Sequence, residues 1–220
     1  MIKTALFDMD GTMYDTERLS LEGWLKAASE MGIPLTADMI KEFRGSNLRT
    51  NAERFKGWFG PEAPYYETRK LRTDYVTTYI REHGVPVKAG LFPLLMTLRE
   101  KNIKSCVATV TRREEAAPYW EKSGVLPFFD GTLCGDEVVN GKPDPEIFLK
   151  AAAMMKSDPS ECIVFEDSPN GIRAAAAAGC HACMIPDLDR PTPEIAVRCE
   201  WIVDSLLDAA AIVDSFPAAE

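Results

Sequence analysis

Apolar residues in the first third of the chain recur with the period of a helix. Between Glu17 and Met31 they fall at Leu21, Trp24, Leu25, Ala28 and Met31, a series that lays one stripe along a helix. The same pattern predicts helices over about 36–43, 47–59 and 63–83. In the last of these Leu71, Tyr75, Val76, Tyr79 and Ile80 share a face, and Gly60-Pro61 breaks the run ahead of it. No strand pattern occurs from residue 17 to about 84. Before this block, Ile2 to Met9 is short and mostly apolar, and reads as a buried strand running into the loop Asp8-Met9-Asp10-Gly11-Thr12.

Past Val85-Pro86-Val87-Lys88-Ala89-Gly90, which reads as a linker, the pattern changes. Predicted helices over 91–101, 112–123, 145–155 and 169–178, and one from Ser205, alternate with short apolar strands over 104–108, 131–134, 162–165, 180–185 and 201–203. Such alternation implies crossover units and a parallel sheet. Pro118 lies inside a predicted helix and predicts a kink or a late start there. The fold class expected is α/β: a Rossmann-like parallel sheet core with helices on both faces, residues 1–15 and 88–220. A small all-helical cap, residues 16–87, is inserted after the first strand.

Composition adds exclusions. The 220 residues are 46% hydrophobic and 27% charged, as in ordinary globular proteins. Lys plus Arg is 25 against 34 Asp plus Glu, a net charge of −9. That balance lacks the basic footprint of a nucleic-acid binder. An anionic ligand would need a locally positive site. The six cysteines (Cys106, Cys134, Cys162, Cys180, Cys183 and Cys199) are scattered in apolar surroundings and form no disulfide framework. Neither a signal peptide nor a membrane span is legible. A cytoplasmic protein with no membrane partner, a monomer or weak dimer, is expected.

Ligands of parallel α/β sheets bind at the carboxyl ends of the strands. The residues ending the predicted strands are Asp8 and Asp10, then Thr109-Val110-Thr111, then Glu166-Asp167-Ser168, with Gly141-Lys142-Pro143 in a loop between them. Two like charges about 4 Å apart repel by roughly 4 kcal/mol at an effective dielectric near 20. Four carboxylates on one edge therefore ask for a hard divalent cation, and Mg²⁺ prefers such ligands and often joins a substrate phosphate. A carboxylate nucleophile can divide phosphate-ester hydrolysis into two steps through an aspartyl-phosphate. Mg²⁺ and Lys142 would neutralise charge on the phosphoryl oxygens, and Asp10 would protonate the leaving alkoxide and later take a proton from water.

Phe7-Asp8-Met9-Asp10-Gly11-Thr12 resembles the DxDGT signature of the haloacid dehalogenase superfamily. Lys142-Pro143-Asp144-Pro145 and Phe165-Glu166-Asp167-Ser168, followed by Gly171-Ile172 and Ala174-Ala175, are similar to its lysine and acidic motifs, in the same order. The helical insert matches the branch that holds small phosphatases and β-phosphoglucomutase. The resemblance implies Asp8 as nucleophile and Mg²⁺ ligand, and Asp10 as general acid/base with its backbone carbonyl on the metal. It implies Thr109 and Lys142 on the phosphoryl group, and Asp167 at the metal with Glu166, directly or through water. Dehalogenating and phosphonate-cleaving members lack the second Asp, so Asp10 argues for phosphoryl transfer from a small phosphorylated metabolite, a sugar phosphate or similar compound. The mutase carries a His shortly after the first motif, where this chain reads Asp15-Thr16-Glu17-Arg18-Leu19-Ser20. That favours water as acceptor and leaves the mutase as the second reading.

Substrate contacts are expected from Thr16, Val110 and Thr111, and from Arg44, Gly45, Ser46, Asn47 and Arg49. The segment from Arg44 to Arg49 reads either as a cap loop closing over substrate or as an exposed helix start. Thr109 also reads as a possible helix cap, although Thr111 is the better candidate. Gly141-Lys142 is not a Walker loop, because Pro143 stands where Ser or Thr is needed. Cys180-His181-Ala182-Cys183 lacks a second ligand pair for zinc. Trp58, Phe59, Tyr65 and Tyr66 read as cap packing rather than a substrate platform, the second reading for them.

Overall fold

The computed structural model describes residues 1–44, 46, 48–188 and 190–218. Its centre is β1 (Thr4–Phe7), four residues with no exposed side chain. β1 pairs in parallel with β2 (Lys104–Ala108) on one side and β4 (Cys162–Glu166) on the other. β3 (Gly131–Leu133), β5 (His181–Met184) and the short β6 (Trp201–Ile202) extend the sheet to the order β3-β2-β1-β4-β5-β6. Strands buried on both faces read as unbroken apolar runs.

Alternate residues of those runs feed two cores. Ala5, Phe7, Val107, Ile163 and Phe165 pack with α5 (Leu91–Glu100), α6 (Arg113–Ser123) and α10 (Leu206–Asp214), through Leu94, Trp120 and Ala209 among others. Leu6, Cys106, Ala108 and Val164 face the opposite way, onto Ile147 and Phe148 of α7 (Glu146–Met155) and Ile172 and Ala175 of α8 (Pro169–Ala178). A short α9 (Pro193–Ala196) adds Ile195 to that second core.

Between β1 and β2 the chain first forms α1 (Thr16–Glu30), α2 (Ala37–Lys41), α3 (Leu48–Phe59) and α4 (Tyr65–His83). These helices gather round their own apolar cluster, built on Trp24, Ile40, Phe43, Phe55 and Tyr65. The Trp24 ring lies 5.0 Å from Phe43 and 5.9 Å from Tyr65. The two chain connections to these helices run side by side. Tyr14 bridges both Asp10 and Val87, Asp15 N donates to Pro86 O and Lys88 N to Met13 O. The Lys88 ammonium then ties this base to Asp187, 2.5 Å away. Among the described residues no helix is long and apolar enough to cross a membrane.

Two expectations need correction. The helix expected over 36–43 is only Ala37–Lys41. Thr36 caps its start by accepting from Met39 N, and the chain then tightens into i to i+3 bonds at Phe43 and Arg44. Helix α6 does not start late at Pro118 but runs through it from Arg113. Its first turn is anchored from outside: Asp136 accepts from Arg113 N, and the Arg113 side chain reaches Thr132 and Glu137. Those bonds, with burial of Ala116 and Trp120, outweigh the missing proline N–H.

Phe55 is fully buried against Phe59 and Tyr65. Phe55→Ala is expected to lower the unfolding free energy by about 3–5 kcal/mol in a urea titration. Leu25→Ala, at an exposed position of α1, is expected to stay within about 0.5 kcal/mol of the parent.

Candidate active site

Parallel register brings three strand ends to one level: Phe7 lies opposite both Val107 and Phe165. Asp8 extends the pairing one residue further by donating its N–H to Phe165 O. Its carboxylate accepts a hydrogen bond from Lys142 Nζ at 2.5 Å, and the same ammonium donates to Glu166 Oε1 at 2.6 Å. The lysine side chain is 0% exposed and lies 4.9 Å from the centre of the Phe148 ring. The other oxygen of Glu166 accepts from Ser168 N at 2.7 Å. A Cβ on Gly171 would lie 1.8 Å from Glu166 Oε1, so only glycine leaves room for that carboxylate.

Asp167 follows on the same strand end and accepts from Thr12 Oγ1 at 3.1 Å. Carboxylate oxygens of Asp8, Glu166 and Asp167 all lie within 4.8 Å of one another. Three carboxylates thus face one ammonium. Burial pushes the Asp8 carboxyl well above its ordinary value, with Lys142 opposing and Glu166 reinforcing the shift. Asp167 is raised too, by burial and by the charges of Glu166 and Asp8. Burial works against the Lys142 charge, yet Asp8 and Glu166 outweigh it and hold the ammonium above its usual range. A compact, oxygen-only donor set carrying excess negative charge fits a hard cation such as Mg²⁺.

Asp10 stands apart from that cluster, in the hands of two hydroxyls. Thr16 and Thr111 donate to its two oxygens, each at 2.6 Å. Thr16 is therefore a support for Asp10; it is buried and does not line the cavity. Thr109 is fully buried at the end of β2 and accepts from Thr111 N. Asp8, Asp10, Thr109, Val110, Thr111 and Asp167 together line a cavity of about 140 Å³ between the sheet and the helical insert.

The insert contributes residues that sequence patterns only partly reveal. Arg44 reaches the cavity and pairs with Glu17 at 3.2 Å. Ser46 also lines it, and its hydroxyl accepts from Arg54 and from Asn170 of α8. Asn170 donates to Arg44 O as well, joining insert to core. Arg49 is not brought to this cavity. Its side chain is 88% exposed and pairs with Glu53 one turn on, because α3 turns it away. It borders a neighbouring crevice shared by Leu48, Val110 and Arg112. Gly45 and Asn47 lie outside the described residues. Glu17, Ser20, Arg69, Arg72, Glu115 and Tyr119 are cavity residues that the sequence reading missed. The available signal was the i, i+3 pair Arg69 and Arg72 on one face of α4, with acidic partners elsewhere.

Glu17 is nearly enclosed. Burial and the charge of Asp10 push its carboxyl from about 4.5 up to about 7, against the pull of Arg44 and Arg72. The folded protein therefore holds a proton there that the unfolded chain has released, and stability falls as pH rises from about 4.5 to 7. The contribution is about 3 kcal/mol, present below the unfolded value and lost above the folded one. Urea titrations of the metal-free protein at pH 5 and pH 8 are expected to show a smaller loss across this window in Glu17→Gln than in the parent.

Comparisons with known proteins place this geometry. The family model for haloacid dehalogenase-like hydrolases matches residues 2–179. A phosphorylated carbohydrates phosphatase from Thermotoga maritima is 31% identical over 184 residues, 81% of this chain and 82% of its own. The β-phosphoglucomutase of Bacillus subtilis is 29% identical over 187 residues, 82% of each chain. The fold of β-phosphoglucomutase from Clostridium difficile superposes with a TM-score of 0.81 at 24% identity, covering 94% of this chain and 93% of that one. With the motifs, the six-stranded parallel sheet and the clustered carboxylates already in place, the match fixes the family: this chain belongs to the haloacid dehalogenase-like hydrolases.

Proposed function

We propose that this phosphoric monoester hydrolase releases phosphate from a small phosphorylated metabolite, a sugar phosphate or similar compound, through an aspartyl-phosphate on Asp8, with Mg²⁺ as cofactor. One observation carries the reading. Asp8, with Lys142 on one oxygen, and Asp10, aimed by two hydroxyls, open on the same small cavity.

In the first step an Asp8 oxygen forms a bond to phosphorus and the ester oxygen leaves. Asp10 supplies the proton that the departing alkoxide needs. In the second step Asp10 takes a proton from water, the resulting hydroxide attacks phosphorus, and the Asp8 carboxylate departs. Lys142 keeps Asp8 in place and adds positive charge beside the phosphoryl oxygens. Thr109 and the turn through Val110 and Thr111 supply polar contacts to the same group. Asp8, Asp167 and the backbone carbonyl of Asp10 would hold Mg²⁺, with Glu166 contributing charge while its oxygens serve Lys142 and Ser168. When bound, the ion supplies charge neutralisation for nucleophile and phosphoryl group. Arg44 and Ser46, which line the cavity, are the insert's substrate-facing residues.

The mutase reading differs in the acceptor, a sugar hydroxyl in place of water. No histidine lines the cavity: His83 stacks on Tyr79 at the end of α4, and His181, the first residue of β5, pairs with Glu200. Ser20, in the segment where the mutase carries its histidine, accepts hydrogen bonds from Arg72. A wall without histidine favours water as acceptor. Incubation with a hexose 1-phosphate separates the two readings: inorganic phosphate supports the hydrolase, and hexose 6-phosphate without phosphate release overturns it.

Asp8→Asn is expected to lower kcat on the order of 10⁴-fold or more, as removal of a nucleophile does. Asp10→Asn is expected to lower kcat about 10²–10⁴-fold. With p-nitrophenyl phosphate, whose leaving group needs no proton, it should still give a rapid burst of nitrophenol, since only the second step is blocked. Chelation by EDTA should abolish turnover and added Mg²⁺ restore it. Because Asp8 and Asp167 are raised in the metal-free pocket, Mg²⁺ must displace protons and bind more tightly as pH rises. Calorimetry in buffers of different ionisation enthalpy reads that proton release directly.

A further inference from the structure

We infer that Arg72 binds a second anionic group, a carboxylate or phosphate, on the leaving-group part of the substrate, so that preferred substrates carry negative charge beyond the phosphoryl group being transferred. The inference rests on the phosphatase reading of the same cavity.

Four arginines line that cavity: Arg44, Arg69, Arg72 and Arg112. Three are paired with acids. Arg44 meets Glu17 at 3.2 Å. Arg69 Nη2 meets both oxygens of Glu115 at 2.9 and 3.0 Å. Arg112 meets Glu114 at 3.2 Å. Arg72 makes no salt bridge among the described residues. Its partner is a single hydroxyl, Ser20 Oγ, which accepts from Nε at 3.1 Å and from Nη2 at 2.5 Å. Two of the five guanidinium N–H donors are thereby used, and three remain.

Ser20 is buried on α1, so its double hydrogen bond fixes the guanidinium before any ligand arrives. The charge of Arg72 also opposes the upward shifts of Glu17, Tyr65 and Tyr119, three other residues of the cavity wall. A fixed, half-enclosed cation with unused planar donors is matched by a carboxylate or phosphate, which guanidinium binds through paired, charge-assisted hydrogen bonds. The carboxylates nearest the strand ends are committed to Lys142 and the metal-fitting cluster, and Glu17, which also feels the charge of Arg72, is paired with Arg44; a substrate anion would give Arg72 a hydrogen-bonded counter-charge of its own.

Matched substrates test this. 6-Phosphogluconate and glucitol 6-phosphate differ only in a carboxylate against a hydroxymethyl group, and glucitol 1,6-bisphosphate carries a second phosphate at that end. With Mg²⁺ present, kcat/KM is expected to be about tenfold higher or more for at least one anionic ester than for the neutral one, the size of one charge-assisted contact. Which of the two gains tells carboxylate from phosphate. Arg72→Met is expected to lower kcat/KM for the favoured anionic ester about tenfold more than for the neutral one, and Arg72→Lys to recover part of the difference. A parent enzyme with equal or better turnover of the neutral ester overturns the inference, as does a ratio that Arg72→Met leaves unchanged. Should Arg72→Met lose its cooperative unfolding transition, the comparison of esters on the parent decides. Calorimetric titration of Asp8→Asn with the same three esters separates the two readings. Tighter binding of an anionic ester without phosphate release by the parent overturns the phosphatase and keeps the Arg72 site. Equal or absent binding overturns the Arg72 site.

Discussion

A single buried ammonium holds the chemistry of this molecule together. Lys142 has no exposed side-chain surface, and it lies between Asp8 and Glu166 at hydrogen-bond distance from both. Taking a charge out of water costs several kcal/mol unless partners and hydrogen bonds replace the solvent. Here the partners come from different strands, and the strands supply them only because β1 is in register with its neighbours on both sides. Glu166 in turn has its place only because position 171 has no side chain. Fold, glycine, acid and lysine form one mutually dependent set. The set still carries surplus negative charge, which fits a hard divalent cation.

Much of the architecture was written in local patterns. Apolar runs such as Thr4–Phe7 and Cys162–Glu166 can be read as doubly covered strands without any tertiary knowledge, because burial on both faces removes the polar alternation. The stripe along α1 was equally plain. Boundaries were less legible where capping decides them. Thr36 and the tight turn at Phe43 shorten α2. Hydrogen bonds from Asp136, Thr132 and Glu137, far along the chain, hold the start of α6 and let it pass through Pro118.

The site divides in the same way. Asp8, Asp10, Thr109, Glu166 and Asp167 lie at or just past strand ends, and the rule that parallel sheets bind ligands there points to them. Lys142 lies in the loop between β3 and α7, where the lysine motif and not a strand end marks it. Ser20, Arg72 and Arg69 sit in helix interiors, on stretches whose polar residues look like ordinary solvated faces. Only the docking of the insert on the sheet turns those faces inward: Arg69 meets Glu115 across the divide, and Asn170 meets Arg44 and Ser46. Conversely Arg49, grouped with Arg44 by proximity in sequence, points outward because helical geometry sends it to Glu53.

The arrangement of β1 has a consequence for how such a chain can change. The strand is locked to a neighbour along each edge, so one residue gained or lost between Thr4 and Asp8 would swing the Asp8 carboxylate to the other side of the pleat. The two tethers at Tyr14 and Val87 meet side by side, so everything suspended from them can lengthen, shrink or be exchanged without disturbing that short count. The strand-end carboxylates and the residues that the insert adds to the cavity thereby sit in portions of the polypeptide with unequal tolerance for insertion and deletion.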